Sequence, residues 1–156
     1  MAECEQSLAA STSFVVPPRL FLEGGLLPFQ DAREFSLHAE ENAPPFLVMT
    51  CPNVAVPQQP RRFMKLTYVL IDPFDVFRDY APDIAESDLA EVGLVPGQKP
   101  LILAIVNLRL GVEAATANLV GPLLINPVTG KTKQIVLQNA TRYSARQRLL
   151  NGTIDP

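Results

Sequence analysis

The sequence predicts an all-β fold, a small antiparallel β-barrel-like single domain with one short helix. Fifteen prolines and eight glycines are spread along 156 residues, so few windows are long enough for a helix. Between them recur short runs rich in β-branched and aromatic residues, which favour strands. The length is that of one domain, and an apolar fraction of 47% is typical of a globular protein. Such a series of short strands predicts one closed or folded-over antiparallel sheet.

The strands are predicted in chain order from alternation and composition. They cover residues 14–16, 19–22, 33–38, 46–50, 65–71, 101–110, 116–126 and 133–138. The first half of strand 101–110 is apolar on both faces, so this strand should lie in the centre of the sheet. Residues 52–62 hold three prolines and two glutamines and are predicted to form an exposed loop.

The one helix is predicted over residues 86–92, with Asp83 as its cap and Gly93 as its stop. Residues 13–150 are expected to form the domain, between a loose segment at 1–12 and a short tail at 151–156.

The string Gly-Lys-Thr at 130–132 resembles the end of a nucleotide-binding P-loop. A P-loop requires a glycine five residues before Gly130, where this chain has Ile125, and it must then enter a helix. Here the following residues, 134–137, favour a strand instead. Pro127 and Gly130 suit a tight turn, so the string is predicted to be the loop of a hairpin.

No catalytic group, cofactor site or metal site is predicted. The chain has one histidine, His38, and two distant cysteines, Cys4 and Cys51, which do not make a zinc site or a disulfide framework. The cysteines are interpreted as free thiols in a reducing cytoplasm. The acidic N-terminus does not resemble a secretory signal, and no apolar run is long enough to span a membrane, so a cytoplasmic location is predicted.

Charge is distributed unevenly along the chain. Residues 72–91 carry seven acids and one base, whereas residues 131–148 carry five bases and no acid. One interpretation of 72–91 is a loop in which Phe74, Phe77 and Tyr80 pack inward and the acids are solvated. The alternative is an acidic, aromatic-flanked surface that docks a basic protein. The basic stretch is interpreted as solvated, without direct nucleic-acid contact, because the net charge is −3.

Two stretches together resemble the FliW family of flagellar assembly factors. The first, YVLIDPFDVFRDYAPDI, resembles that family's strand, Asp-Pro and aromatic-rich segment. The second, ILAIVNL followed by TANLVGPLLINPVTGKTKQIVL, resembles its apolar strand and the hairpin after it. The matching positions are Asp72, Pro73, Tyr80, Asn118, Leu119, Pro122, Asn126 and Gln134. The chain departs from the family pattern at 52–64, where Arg61 and Arg62 stand in place of a short acidic turn.

The resemblance implies a small non-enzymatic protein that binds CsrA, a basic RNA-binding translational regulator, and also binds flagellin. It implies that the protein relieves repression of flagellin synthesis. The residues expected to contact partners are Asp72, Asp75, Phe77, Asp79, Tyr80, Asp83, Asn118 and Asn126. Two alternatives remain: a flagellin chaperone without CsrA antagonism, and a divalent-metal-dependent enzyme that uses the acidic segment 72–91.

Overall fold

The computed structural model describes residues 16–42 and 45–150. Within these ranges nine strands form a sheet in the order β1-β2-β3-β4-β5-β6-β9, and β7 pairs with both β5 and β8. All of these pairs are antiparallel, which confirms the all-β prediction. The strands are β1 Arg19–Phe21, β2 Glu34–Ala39, β3 Leu47–Val56, β4 Gln59–Ile71, β5 Leu101–Asn107, β6 Thr116–Ala117, β7 Leu123–Ile125, β8 Thr132–Gln134 and β9 Gln147–Arg148.

Strand β5 lies in the centre of the sheet, as its apolar sequence predicts. It pairs with β4, β6 and β7. Leu101 and Leu103 point into one hydrophobic core, whereas Ile102 and Ala104 point into a second core on the other face. Because side chains alternate along a strand, a run that is apolar at every position can supply both cores at once.

The two ends of the sheet meet at one point. The Phe21 N–H donates a hydrogen bond to the Gly130 carbonyl oxygen at 2.9 Å, and Phe21 forms an isolated parallel bridge with Lys131. No continuous ladder joins β1 to β8 in the described residues, so the sheet is not closed. The predicted barrel is therefore an open sheet whose ends touch.

The prediction of an exposed loop at 52–62 is wrong, because these residues belong to the β3–β4 hairpin. The prolines lie where the ladder is irregular. Pro52 falls at the register shift between Cys51 and Val54, and Pro60 falls opposite the shift between Ala55 and Val56. A proline lacks the N–H that a regular ladder needs, so a strand tolerates it at a bulge. The sequence shows the prolines but not the bulges that accommodate them, so the proline content alone predicts a loop.

The predicted helix exists, but it is not the only one. α1 spans Pro73–Val76 and α2 spans Glu86–Glu91. Pro73 occupies a first-turn position of α1, where a missing N–H is harmless. Ala85, not Asp83, is the N-cap of α2, and it makes no side-chain cap bond. Gly93 follows α2 with a φ of 77°, as the predicted stop requires.

The sequence 116–126 is not one strand. Pairing stops after Ala117 and resumes at Leu123, and Asn118 lies in the break. β7 and β8 then form the predicted hairpin, with Gly130 at a φ of 81° in its loop. The predicted segment at 1–12, the tail at 151–156 and the strand at 14–16 lie outside the described residues, apart from Val16, which is not in a strand.

The contact between β1 and the hairpin loop predicts the effect of Gly130→Ala. A methyl group at Gly130 would collide with the Arg19 carbonyl oxygen and would also occupy a left-handed conformation. We expect the free energy of unfolding to fall by about 3 kcal/mol. Gly97→Ala is the matched control, because Gly97 also has a positive φ but meets nothing within 4 Å. That variant should lose only about 1–2 kcal/mol in urea unfolding. Equal losses in the two variants would contradict a steric role for the contact.

Candidate functional site

The acidic segment begins where β4 leaves the sheet. Asp72 caps α1, and its carboxylate accepts a hydrogen bond from the Phe74 N–H at 2.9 Å. The residue is 3% exposed. Asp72 therefore fixes the direction in which the chain leaves β4, and its buried side chain offers no surface to a partner. That Asp72 contacts a partner stays a prediction, and its burial does not favour it.

Two aromatic residues of the segment belong to the core. Phe77 and Tyr80 are buried, and the Tyr80 hydroxyl donates to the Leu119 carbonyl oxygen at 2.7 Å. The Tyr80 ring meets the Tyr143 ring edge-on at 4.9 Å between centroids. The inward packing predicted for these two residues is thus confirmed. That they contact a partner stays a prediction, and their burial does not favour it. Phe74 was expected to pack inward, but it is 43% exposed and is the aromatic side chain that this segment presents to solvent.

The C-terminal part of the chain holds the backbone of the segment in place. Ala81 N–H donates to the Tyr143 hydroxyl, and Asp83 N–H donates to Asn139 Oδ1, both at 2.9 Å. Asn139 Nδ2 also donates to the Ala81 carbonyl oxygen at 2.9 Å, and Gln138 N–H donates to the Asp83 carbonyl oxygen at 2.8 Å. These bonds stand in for regular secondary structure between α1 and α2, so the segment is fixed at several points.

The acids of the segment divide into two groups. Asp88 and Glu91 on α2 both bind the Lys133 ammonium, at 2.7 and 2.6 Å, which ties α2 to β8. By contrast, Asp75, Asp79, Asp83 and Glu86 are exposed, and none of them forms an ion pair in the described part of the chain. We call Phe74 and these three aspartates the acidic surface. Nothing in the sequence around Lys133 indicated its pairing with α2.

Asn118 and Asn126 organise the backbone of the fold. Asn126 is buried; its Oδ1 accepts from the Val128 and Thr129 N–H groups, and its Nδ2 donates to the Val92 carbonyl oxygen. Asn118 Oδ1 accepts from the two N–H groups of residues 120 and 121 in the break between β6 and β7. The expectation that these amides contact a partner is not supported by their geometry, since their oxygens are occupied within the chain.

Burial shifts the ionisation of several of these groups. Burial raises the pKa of Asp72 to about 6, against the hydrogen bond from Phe74 and with a smaller contribution from Asp75. Burial also raises the pKa of Tyr80, with Tyr143 beside it, so this hydroxyl stays a donor. The hydrogen bonds that the Lys133 ammonium donates to the Asp88 and Glu91 carboxylates raise the pKa of Lys133. Burial raises the pKa of Asp75 as well, so Asp72 and Asp75 both resist ionisation, and the buried cap Asp72 shows the large shift.

The described residues also form two clefts, but they contain no cluster of metal ligands and no helix that could span a membrane. Clefts of about 550 and 590 Å³ lie between residues 21–27, the end of α2 and the β7–β8 hairpin. No three or more histidine, cysteine, aspartate or glutamate side chains in the described ranges are placed to hold a metal ion. Among the helices described, none has the length and apolar character needed to cross a membrane.

The position of the acidic segment, directly after a long strand and pinned by the residues that follow the hairpin, agrees with the family resemblance. A family profile described as "FliW protein" matches residues 10–149. The chain belongs to the FliW family.

Individual FliW proteins support the same assignment. The flagellar assembly factor FliW of Natranaerobius thermophilus is 33% identical over 128 residues, which cover 81% of this chain and 78% of that protein. The flagellar assembly factor FliW of Symbiobacterium thermophilum is 39% identical over 85 residues, or 54% of this chain and 61% of that protein, less than two thirds of its length. A crystal structure of a flagellar assembly factor FliW matches the fold with a TM-score of 0.67 at 27% identity, over 85% of each chain.

The buried carboxylate predicts a pH dependence of stability. Because the pKa of Asp72 in the folded protein lies above 3.8, the folded chain holds a proton between about pH 4 and 6 that the unfolded chain releases. The free energy of unfolding contributed by this group therefore falls as pH rises through that window. Asp72→Asn keeps a capping oxygen and removes the charge, so at pH 7.5 it should raise the midpoint of thermal unfolding by roughly 2–4 °C.

The same comparison at about pH 4 supplies the check, since wild-type Asp72 is then largely protonated and the difference between the two proteins should shrink toward zero. Asp79→Asn, an exposed acid of the same segment, is the control and should show no such narrowing. A constant difference between Asp72→Asn and wild type across this range would contradict the assignment.

The contacts of Asn126 predict a structural defect. Asn126→Ala removes three hydrogen bonds, one of them to the carbonyl oxygen of the buried Val92, and leaves a small cavity in place of a buried side chain, so we expect a loss of roughly 3 kcal/mol in the free energy of unfolding. Asn107→Ala removes one exposed side-chain bond to the Arg109 N–H and should lose less than about 1 kcal/mol. Denaturant unfolding measures both values. A near-native stability for Asn126→Ala would count against the structural role.

Proposed function

We propose that this FliW-family protein is a cytoplasmic, non-enzymatic regulator of flagellar assembly that binds a CsrA-type RNA-binding regulator and flagellin. By holding the regulator, it relieves repression of flagellin synthesis. Relatives of this chain carry the name flagellar assembly factor. The binding of the regulator is argued from the acidic surface, where an exposed phenylalanine is followed in the chain by three exposed carboxylates without ion-pair partners.

Electrostatics favours a basic partner at this surface. Exposed carboxylates that lack an internal cation keep their full attraction for an external one, and such charges accelerate and orient association. An RNA-binding regulator is basic because it must bind phosphates. Asp88 and Glu91 contribute less, because Lys133 already neutralises part of their charge.

The fixed backbone of the segment supports the same proposal. Hydrogen bonds to Tyr143 and Asn139 hold residues 81–83, so little conformational freedom remains to be lost when a partner binds. The Phe74 ring contacts the Tyr80 ring at 5.6 Å between centroids, tilted by 45°, and this contact supports the exposed ring. Phe74 is therefore the aromatic side chain that we propose as the anchor for a partner.

Flagellin is the second proposed partner, and it need not use the acidic surface. The clefts beside the β7–β8 hairpin are lined in part by apolar side chains, among them Leu22, Leu26 and Leu27. An apolar segment of flagellin is suited to such a cleft. If only this contact exists, the protein is a flagellin chaperone without antagonism of the regulator.

The acidic surface is tested by removing its charge. Asp75→Asn, Asp79→Asn and Asp83→Asn combined should weaken binding to purified CsrA by about tenfold at low salt, and by less at about 0.5 M salt. The matched control neutralises three acids elsewhere, Asp31→Asn, Glu41→Gln and Glu113→Gln, and should change the dissociation constant by less than about twofold. Calorimetric titration measures both.

Each failure of this titration has a distinct meaning. Equal weakening in both triple variants would show a response to net charge alone and would remove the acidic surface from the proposal. If wild-type protein fails to bind CsrA at either salt concentration but binds flagellin, the chaperone alternative replaces the regulatory one.

A further inference from the structure

The β3–β4 hairpin extends beyond the strands that hold its base. β2 pairs with β3 only as far as Thr50, and β5 pairs with β4 only from Val69 onward. Between these limits β3 and β4 pair with each other alone, around a turn at residues 57 and 58. We call this two-stranded part, residues 51–68, the hairpin arm. Every residue of Gln59 to Lys65 on it is exposed.

One edge of the hairpin arm pairs with no other strand among the residues that the structure describes. In the described residues no backbone hydrogen bond from another element reaches β4 between Arg61 and Thr67. The β3 edge is different, because the loop of residues 28–31 faces the tip of the arm across a cleft of about 490 Å³. The free β4 edge has no proline after Pro60 and offers about 20 Å of main-chain donors and acceptors. An open edge of this kind can accept an added strand.

The positive charge of the hairpin arm determines which kind of strand can pair with its open edge. Arg61, Arg62 and Lys65 are exposed, and no acidic residue occurs between Glu41 and Asp72. The arms of two copies of this chain would repel each other, which is how edge strands commonly avoid self-association. An acidic strand would instead be attracted by these three cations. Phe63, 57% exposed, and Met64 add apolar contact area beside the cations.

We propose that the β4 edge between Arg61 and Thr67 docks an extended, acidic protein segment, which joins the sheet as a further strand. Main-chain hydrogen bonds to the edge would supply the pairing, and the three cations would choose an acidic sequence. This contact goes beyond the proposed function, because it uses the opposite charge and a different part of the fold from the acidic surface.

The binding test uses a labelled eight-residue peptide in which glutamate alternates with threonine and valine. Wild-type protein should bind it at low salt, and amide chemical shifts should change along Arg61 to Thr67. Two probe peptides separate the contributions. Replacing the glutamates by lysine should abolish binding, and methylating alternate backbone nitrogens, which keeps the charge but blocks strand pairing, should weaken binding by about tenfold.

The variant test reverses the charge of the arm. Arg61→Glu, Arg62→Glu and Lys65→Glu combined should weaken peptide binding by at least about tenfold. Arg109→Glu, an exposed cation on another loop, is the control and should change affinity by less than about twofold. All four side chains are exposed, and circular dichroism checks that the variants fold. Binding of CsrA by the triple arm variant stays as in wild type, so failure here is separable from failure of the proposed function.

Three outcomes would overturn the proposal. The first is no binding of the acidic peptide by wild-type protein at low salt. The second is equal binding of the methylated peptide, which shows charge attraction without strand addition. The third is failure of the peptide together with binding of another occupant. If an oligouridine of equal charge binds, the occupant is RNA. If the protein self-associates in sedimentation in a way that depends on the three cations, the occupant is a second copy of the chain.

Discussion

The architecture depends on one strand being buried on both faces. β5 places Leu101 and Leu103 in one core and Ile102 and Ala104 in the other, and all four are buried. β7 continues the same division, with Leu124 facing the second core while its neighbours face the first. A polar residue at any of these positions would enter an apolar interior, at a cost of several kcal/mol without a hydrogen-bond partner. The sheet is organised around this pair of strands for that reason.

Side-chain hydrogen bonds complete the backbone where the ladders around β5 end. Asp72, Asn118 and Asn126 each accept N–H groups at such a break, and the Tyr80 hydroxyl takes up the Leu119 carbonyl oxygen. These are among the positions that carry the family resemblance. The residues that carry the resemblance therefore stabilise the backbone between strands. The side chains available to partners lie between those positions, where the pattern says little.

The sequence predicts features that depend on one strand or one turn. The two-sided apolar run at 101–110 identifies the central strand, and the turn chemistry at Gly130 separates a hairpin from a P-loop. It does not predict features that depend on distant residues. The prolines at 52 and 60 indicate a loop until the register shifts that accommodate them are known. Similarly, Phe74 and Phe77 are both phenylalanines of the acidic segment, so the sequence does not distinguish them. Only the packing of α1 shows which ring is exposed.

Strand β4 connects two surfaces of opposite charge. Its outer end carries Arg61, Arg62 and Lys65, and the chain that leaves its inner end enters the acidic surface. The seven steps along the chain from Lys65 to Asp72 span about 23 Å, more than twice the screening length of about 8 Å in physiological salt. The electrostatic interaction between the two surfaces is thus largely screened. Partners of opposite sign can therefore occupy the two surfaces independently, and any coupling between them would have to pass through the strand itself, which β3 holds along nearly its whole length.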